Sequence, residues 1–138
     1  MEALIEAEQL ENEVKLIGWQ SQSEINQAIQ EADMMIQLSK TATNGDKEGI
    51  PVVLMEAMSR GKLIISTEHS GIPELIEDGF SGWLVPENNV AKSVEKIVEV
   101  KNNPDNWLPV SLNARAKINE QFNIMTLNDQ LATYCSTK

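Results

Sequence analysis

Two glutamates, Glu48 and Glu56, stand eight positions apart in Glu48-Gly49-Ile50-Pro51-Val52-Val53-Leu54-Met55-Glu56-Ala57-Met58. Pro51 suits the opening of a helix, where the first N–H groups have no internal partner in any case. The spacing therefore sets Glu48 just before a helix N-terminus and Glu56 about two turns inside it. Val53, Leu54, Ala57 and Met58 are apolar, so this helix packs against a sheet. At about 100° per residue, Glu56 falls between Val52 and Val53, on the side toward the helix start. It need not point into bulk solvent.

The chemistry follows from the groups on offer. The N–H groups of Val52 and Val53 are unpaired in a first turn, and with the helix dipole they suit a phosphate. Glu48 and Glu56 supply four carboxylate oxygens as acceptors for vicinal hydroxyls, such as those of a ribose and a sugar ring. Phosphate donors beside hydroxyl acceptors describe a nucleotide-sugar site. The competing reading makes Glu48 a favourable charge at a helix N-terminus, worth about 0.3–1 kcal/mol, and Glu56 an ordinary exposed helix residue. Other residues carry less. His69 and Ser39 each follow a strand end, where ligands gather in open α/β sheets, but both also read as turn residues. Cys135 has no basic partner nearby in sequence. Trp19 and Trp83 read as packing residues.

The elements that must position these groups alternate along the chain. Residues 2–12 are strong helix formers, and Val14–Gly18 is a short apolar run that reads as a strand. Ser23 with Asn26 opens a helix over 24–32, and Met34–Leu38 is a second strand. The polar stretch 39–47, SKTATNGDK, is a loop. The helix after Pro51 stops at Gly61. Leu63–Thr67 is a nearly continuous apolar strand, as in a parallel sheet buried on both faces. A tight turn and short helix over 70–76 and a short strand over 83–86 follow. Asn88 or Asn89 caps a helix over 90–101 with Val90, Val94, Ile97 and Val98 on one face. Helices over 108–121 and 124–135 follow. Strands alternating with helices give an α/β fold with a parallel sheet.

Length and composition bound the rest. The 138 residues suit a single domain, with 41% apolar and 23% charged residues. The 11 basic against 21 acidic residues, net −10, disfavour nucleic acid or an anionic membrane as partners. No apolar run is long enough for a transmembrane helix, and the acidic N-terminus is no secretory signal. One His and one Cys rule out a His-rich or Cys-based metal site. No metal and no cofactor are expected, and a reducing cytoplasm is the default location.

Several landmarks recur in family order: VKLIGW (14–19), SEINQAIQEAD (23–33), EGIPVVLMEAMSRG (48–61), LIIST (63–67) and SGIPELIEDGFSGWLVP (70–86). Over roughly residues 13–122 the chain resembles the C-terminal, donor-binding domain of the retaining GT-B glycosyltransferases of family 4, the glycosyl transferases group 1. The resemblance implies a Rossmann-like three-layer α/β/α fold, here a partial GT-B C-terminal domain. It also implies a parent enzyme that transfers a sugar from a nucleotide diphosphate sugar to an acceptor with retained configuration. Glu48 then matches the first glutamate of the family's E-x7-E motif, the catalytic position that contacts the donor sugar. Glu56 matches the second, which holds ribose hydroxyls, and Ile50, Val52 and Val53 lie where the family's backbone meets sugar and phosphate.

The chain departs from the family in two ways. The segment 39–47 is longer and more polar than the usual link, as a donor-specific loop would be. The acceptor domain and the first two strand–helix units, with their basic diphosphate contacts, are missing. The chain thus reads as a piece of a longer enzyme, inactive alone, whose partners are a nucleotide-sugar and the N-terminal acceptor domain. The rival reading is a stand-alone, non-catalytic interaction domain that inherited the fold. In the strand order 3-2-1-4-5-6, residues 14–18 would be strand 3 and residues 34–38 strand 4. With strands 1 and 2 missing, 14–18 is expected to slide across and pair with 34–38; the alternative is an edge-to-edge dimer.

Overall fold

The computed structural model describes residues 1–43, 45 and 49–136. The chain divides into two units, Met1–Glu31 and Ala32–Lys138.

In the first unit, helix α1 spans Glu2–Ala7 and stops short of the helix former run that continues to residue 12. Gln9 takes a left-handed φ of 56°. Its N–H donates to the Glu6 carbonyl, and the Leu10 N–H donates back to Ile5 at 2.9 Å. That closes a Schellman-type end, with Gln in the place glycine usually takes. Residues 14–18 form no strand, which corrects the sequence expectation. Val14, Leu16 and Ile17 are exposed, and Trp19 is 89% exposed rather than packed. A run of β-formers makes a strand only where a neighbouring strand accepts its hydrogen bonds, and none does so here among the described residues. The expected pairing of 14–18 with 34–38 is therefore absent.

Helix α2 spans Gln22–Glu31. It opens two residues before the expected start because Ser21, not Ser23, begins a capping box. Glu24 Oε2 accepts from the Ser21 N–H at 2.8 Å and from its hydroxyl at 2.6 Å. These bonds hold the Glu24 carboxyl below its ordinary pKa.

The second unit is built on three parallel strands in the order β1-β2-β3: Met34–Gln37, Leu63–Thr67 and Trp83–Val85. All five residues of β2 are buried, as its apolar run requires of a central parallel strand. β1 is an edge of this sheet. Helix α3, Val52–Ser59, buries Leu54, Ala57 and Met58 and packs on β1, β2 and α6, Trp107–Gln121. A turn at Arg60 and Gly61, with Gly61 at φ +70°, leads α3 into β2. The short α4, Ile72–Leu75, follows β2.

After β3, Asn89 caps α5, Val90–Asn102, by accepting from the Lys92 N–H at 3.0 Å. The buried face of α5 differs from the expected one. Val90, Val94 and Val98 are 77%, 54% and 49% exposed, while Ser93 and Val100 are buried. Val100 joins Leu63, Ile65, Trp83, Val85 and Val110 in one apolar cluster, with Ile97 packed against it. The Trp107 indole donates to the Val100 carbonyl at 2.7 Å and ties α5 to α6. A 3-10 turn, Pro104–Asn106, joins those helices, and α7, Ile124–Ser136, follows.

Candidate functional site

Three parallel strands end on the same side of the sheet, so the segments leaving them must converge there. Leu38 to Thr41 leaves β1, Glu68 to Gly71 leaves β2, and Pro86 to Asn89 leaves β3. The first of these leads on toward α3, which returns to the start of β2. The N-terminus of α3 therefore lies on this edge of the sheet.

Four of the five predicted site residues are described, and Glu48 lies outside the described residues. Pro51 is buried in an extended conformation and serves as the N-cap residue of α3, without a side-chain cap. Its carbonyl accepts the Leu54 N–H at 3.0 Å. No acceptor among the described residues takes the N–H of Val52 or Val53, as a free helix start requires. Val52 is 63% exposed and Val53 and Ile50 are half-buried. Ile50 rests on the turn after β2: a Cβ added to Gly71 would lie 2.8 Å from Ile50 Cγ1. Only glycine admits so close an approach.

Glu56 is half-buried. Its carbonyl accepts from the Ser59 hydroxyl at 2.7 Å and from the Arg60 guanidinium at 3.0 Å. Its carboxylate makes no hydrogen bond among the described residues. Thus α3 brings Val52, Val53 and Glu56 onto one helix, with Ile50 leading into it.

His69 is the residue that sequence reasoning undervalued, and Glu87 is the one it missed. His69 is fully buried, and its Nδ1 lies 2.7 Å from Glu87 Oε1. Glu87 Oε2 accepts the Thr41 N–H at 2.9 Å. These two bonds, the Thr41 N–H first, hold the Glu87 carboxyl below its ordinary pKa. The signal lies in the strand register and not in any local sequence pattern. The ladder pairs Thr67 with Val85, and His69 and Glu87 each stand two positions beyond their strand ends. Parallel strands in that register bring those two positions side by side.

The same edge is tightened by buried hydroxyls. Ser66 donates to the Gln37 carbonyl and Thr67 to the Ser39 carbonyl, both at 2.6 Å. Ser39 Oγ and His69 Nε2 are buried without a hydrogen-bond partner among the described residues. A cleft of about 270 Å³ opens here, lined by Leu38, Lys40, Thr67, Pro86, Asn89 and Ser93 among others. Ile50, Val52, Val53 and Glu56 do not line it. Cys135 is free and exposed. Among the described residues, no group of His, Cys, Asp or Glu could hold a metal ion, and no helix is long and apolar enough to cross a membrane.

Comparison with known proteins places this architecture. The amylovoran biosynthesis glycosyltransferase AmsK of Erwinia amylovora is 46% identical over 123 residues, which cover 89% of this chain and 30% of that protein. The putative colanic acid biosynthesis glycosyltransferase WcaL of Salmonella typhimurium is 42% identical over 138 residues, 99% of this chain and 34% of that protein. The chain thus spans about a third of the length of these relatives. Among solved structures, Anabaena Alr3699/HepE in complex with UDP superposes with a TM-score of 0.82 at 26% identity, over 99% of this chain and 36% of that one. Residues 1–121 match the family described as Glycosyl transferases group 1, and the chain belongs to that family.

Proposed function

We propose that this chain is the nucleotide-sugar-binding part of a retaining glycosyltransferase, which moves a sugar from a nucleotide diphosphate sugar to an acceptor. The observation that carries the reading is the start of α3: two N–H groups and, further along the same helix, a half-buried carboxylate, none of them with a hydrogen-bond partner among the described residues. Val52 and Val53 would donate to the diphosphate, aided by the helix dipole. Those bonds strengthen as negative charge builds on the leaving group, so they favour the transition state over the bound donor. Glu56 would accept from the ribose hydroxyls and fix the nucleotide. Glu48 would accept from the donor sugar and set its angle to the leaving phosphate. A similar solved structure is in complex with UDP, which supports a nucleotide as the ligand.

Calorimetric titration of the chain with uridine diphosphate tests the reading, with Glu56→Ala as the comparison. Saturable binding that weakens in the variant is expected. Equal binding by both removes Glu56 from the site. No binding by the chain, or by any longer protein that carries it, favours the non-catalytic interaction domain.

A further inference from the structure

Gly71 stands at φ −80° and ψ −1°, a turn conformation that residues with side chains also adopt. The backbone there does not require glycine. Ile50 does: a Cβ at position 71 would lie 2.8 Å from Ile50 Cγ1 and 3.5 Å from its Cδ1, where carbon atoms rest at about 3.5–4.0 Å. The turn itself is fixed. The carbonyls of His69 and Gly71 accept the Ile72 and Glu74 N–H groups, both at 3.0 Å, and His69, Ile72 and Leu75 are fully buried. Cγ1 is one bond from the Cβ of a stiff, β-branched side chain, so Ile50 gives way only by turning χ1 or by moving its backbone. Ile50 leads through Pro51, the buried N-cap of α3, to Val52 and Val53. Beyond them Leu54, Ala57 and Met58 are fully buried, so a push at Ile50 is absorbed in the first turn of α3.

We infer that Gly71 is a positioning residue for the donor's diphosphate: by having no side chain it seats Ile50, and Ile50 sets where the Val52 and Val53 N–H groups stand. The inference rests on the donor-binding reading above, and it assigns a positioning role to a glycine outside the segment that carries those groups. Two N–H groups must meet one phosphate together, and hydrogen bonds weaken steeply as their angles depart from ideal. A displacement of several tenths of an ångström in the first turn therefore reaches the ligand without unseating the helix.

Gly71→Ala, Ile50→Ala and the double variant of the 138-residue chain test it. Each is read by uridine diphosphate calorimetry, by the ligand-free amide resonances of α3 and by thermal unfolding. Gly71→Ala should weaken uridine diphosphate binding by about tenfold, the worth of one charge-assisted hydrogen bond. The Val52 and Val53 resonances should move while those of Ala57 and Met58 stay, and the melting midpoint should remain within about 5 °C of wild type. Ile50→Ala removes Cγ1 and Cδ1, and the nearest remaining atom of residue 50 is its N, 3.9 Å from the added Cβ. In that background Gly71→Ala should change affinity by less than about twofold and leave the Val52 and Val53 resonances in place. Equal binding by wild type and Gly71→Ala overturns the inference and leaves the donor reading standing. So does a loss or a resonance shift that persists in the Ile50→Ala background, which would mean a turn damaged on its own account. If Gly71→Ala alone does not fold, the double variant decides: matching Ile50→Ala supports the inference, and failing beside it overturns it. A wild-type chain that binds no uridine diphosphate overturns the donor reading, and the positioning role with it, whatever the resonances show.

Discussion

Glu56 stands half-buried with no hydrogen bond to its carboxylate among the described residues. A carboxylate partly withdrawn from water and left unengaged has acceptor capacity for a ligand. If ribose hydroxyls take that capacity, Glu56→Ala costs about 1.5–3 kcal/mol, more than tenfold in uridine diphosphate affinity by calorimetry. Glu48 makes a different demand. Glu48→Gln should lower turnover with the nucleotide-sugar in the full-length enzyme while leaving nucleoside diphosphate affinity nearly intact. Equal losses in both would show Glu48 supporting the helix start. Glu87 gives a prediction in pH. Its pKa is lowered in the folded chain, first by the Thr41 N–H and then by His69, and it returns to about 4.3 on unfolding. Below that value the unfolded chain takes up the proton first. The contribution is therefore complete above about pH 5 and is lost as pH falls through the folded pKa. Thermal unfolding from pH 6 to 3 should show a gap between wild type and Glu87→Gln that shrinks in acid. A constant gap would mean that the carboxylate is not held as described.

At the scale of elements, α3 is a packing element before it is a binding one. Leu54, Ala57 and Met58 are fully buried, so the helix start is held in place by its core face. Leu54→Ala should cost about 2–5 kcal/mol in urea unfolding, the range for emptying a closed core site. A smaller loss would mean that α3 docks loosely and cannot hold donors in register. The sequence showed α3 and β2 clearly because each satisfies one strong rule: Pro51 and Gly61 bracket the helix, and an unbroken apolar run marks a central parallel strand. Residues 14–18 misled because a strand is a property of two segments, and the partner was not among the described residues. The stripe Val90, Val94 and Val98 misled for a related reason. Periodicity finds an apolar face, but the core cluster chose the neighbouring face of Ile97 and Val100. The His69–Glu87 pair was legible only with the register of β2 and β3, which no local pattern of residues supplies. The position of Glu48 lies outside the described residues, so its role still rests on the resemblance.

For the whole molecule, the decisive relation is between the chain and its relatives. Sugar transfer needs a donor, an acceptor and something to neutralise the diphosphate as it leaves. In the proposed reading, the residues of this chain supply the nucleotide and sugar contacts. Lys40, Lys47 and Lys62 do not stand in the pattern of the family's basic diphosphate contacts. The relatives are longer, with this chain covering 30% and 34% of them. We propose that acceptor binding and the basic contacts belong to the part of such proteins that it does not span. The two halves of the reaction should then separate experimentally. The 138-residue chain should bind uridine diphosphate saturably, because it carries α3 with Glu56. It should give neither transfer nor donor hydrolysis with a panel of nucleotide-sugars, because an unneutralised diphosphate is a poor leaving group. Both are read in one vessel by following released nucleotide beside a binding isotherm. Robust turnover by the chain alone would place the charge-neutralising groups within it. Adding the remaining part of the enzyme in trans should restore transfer.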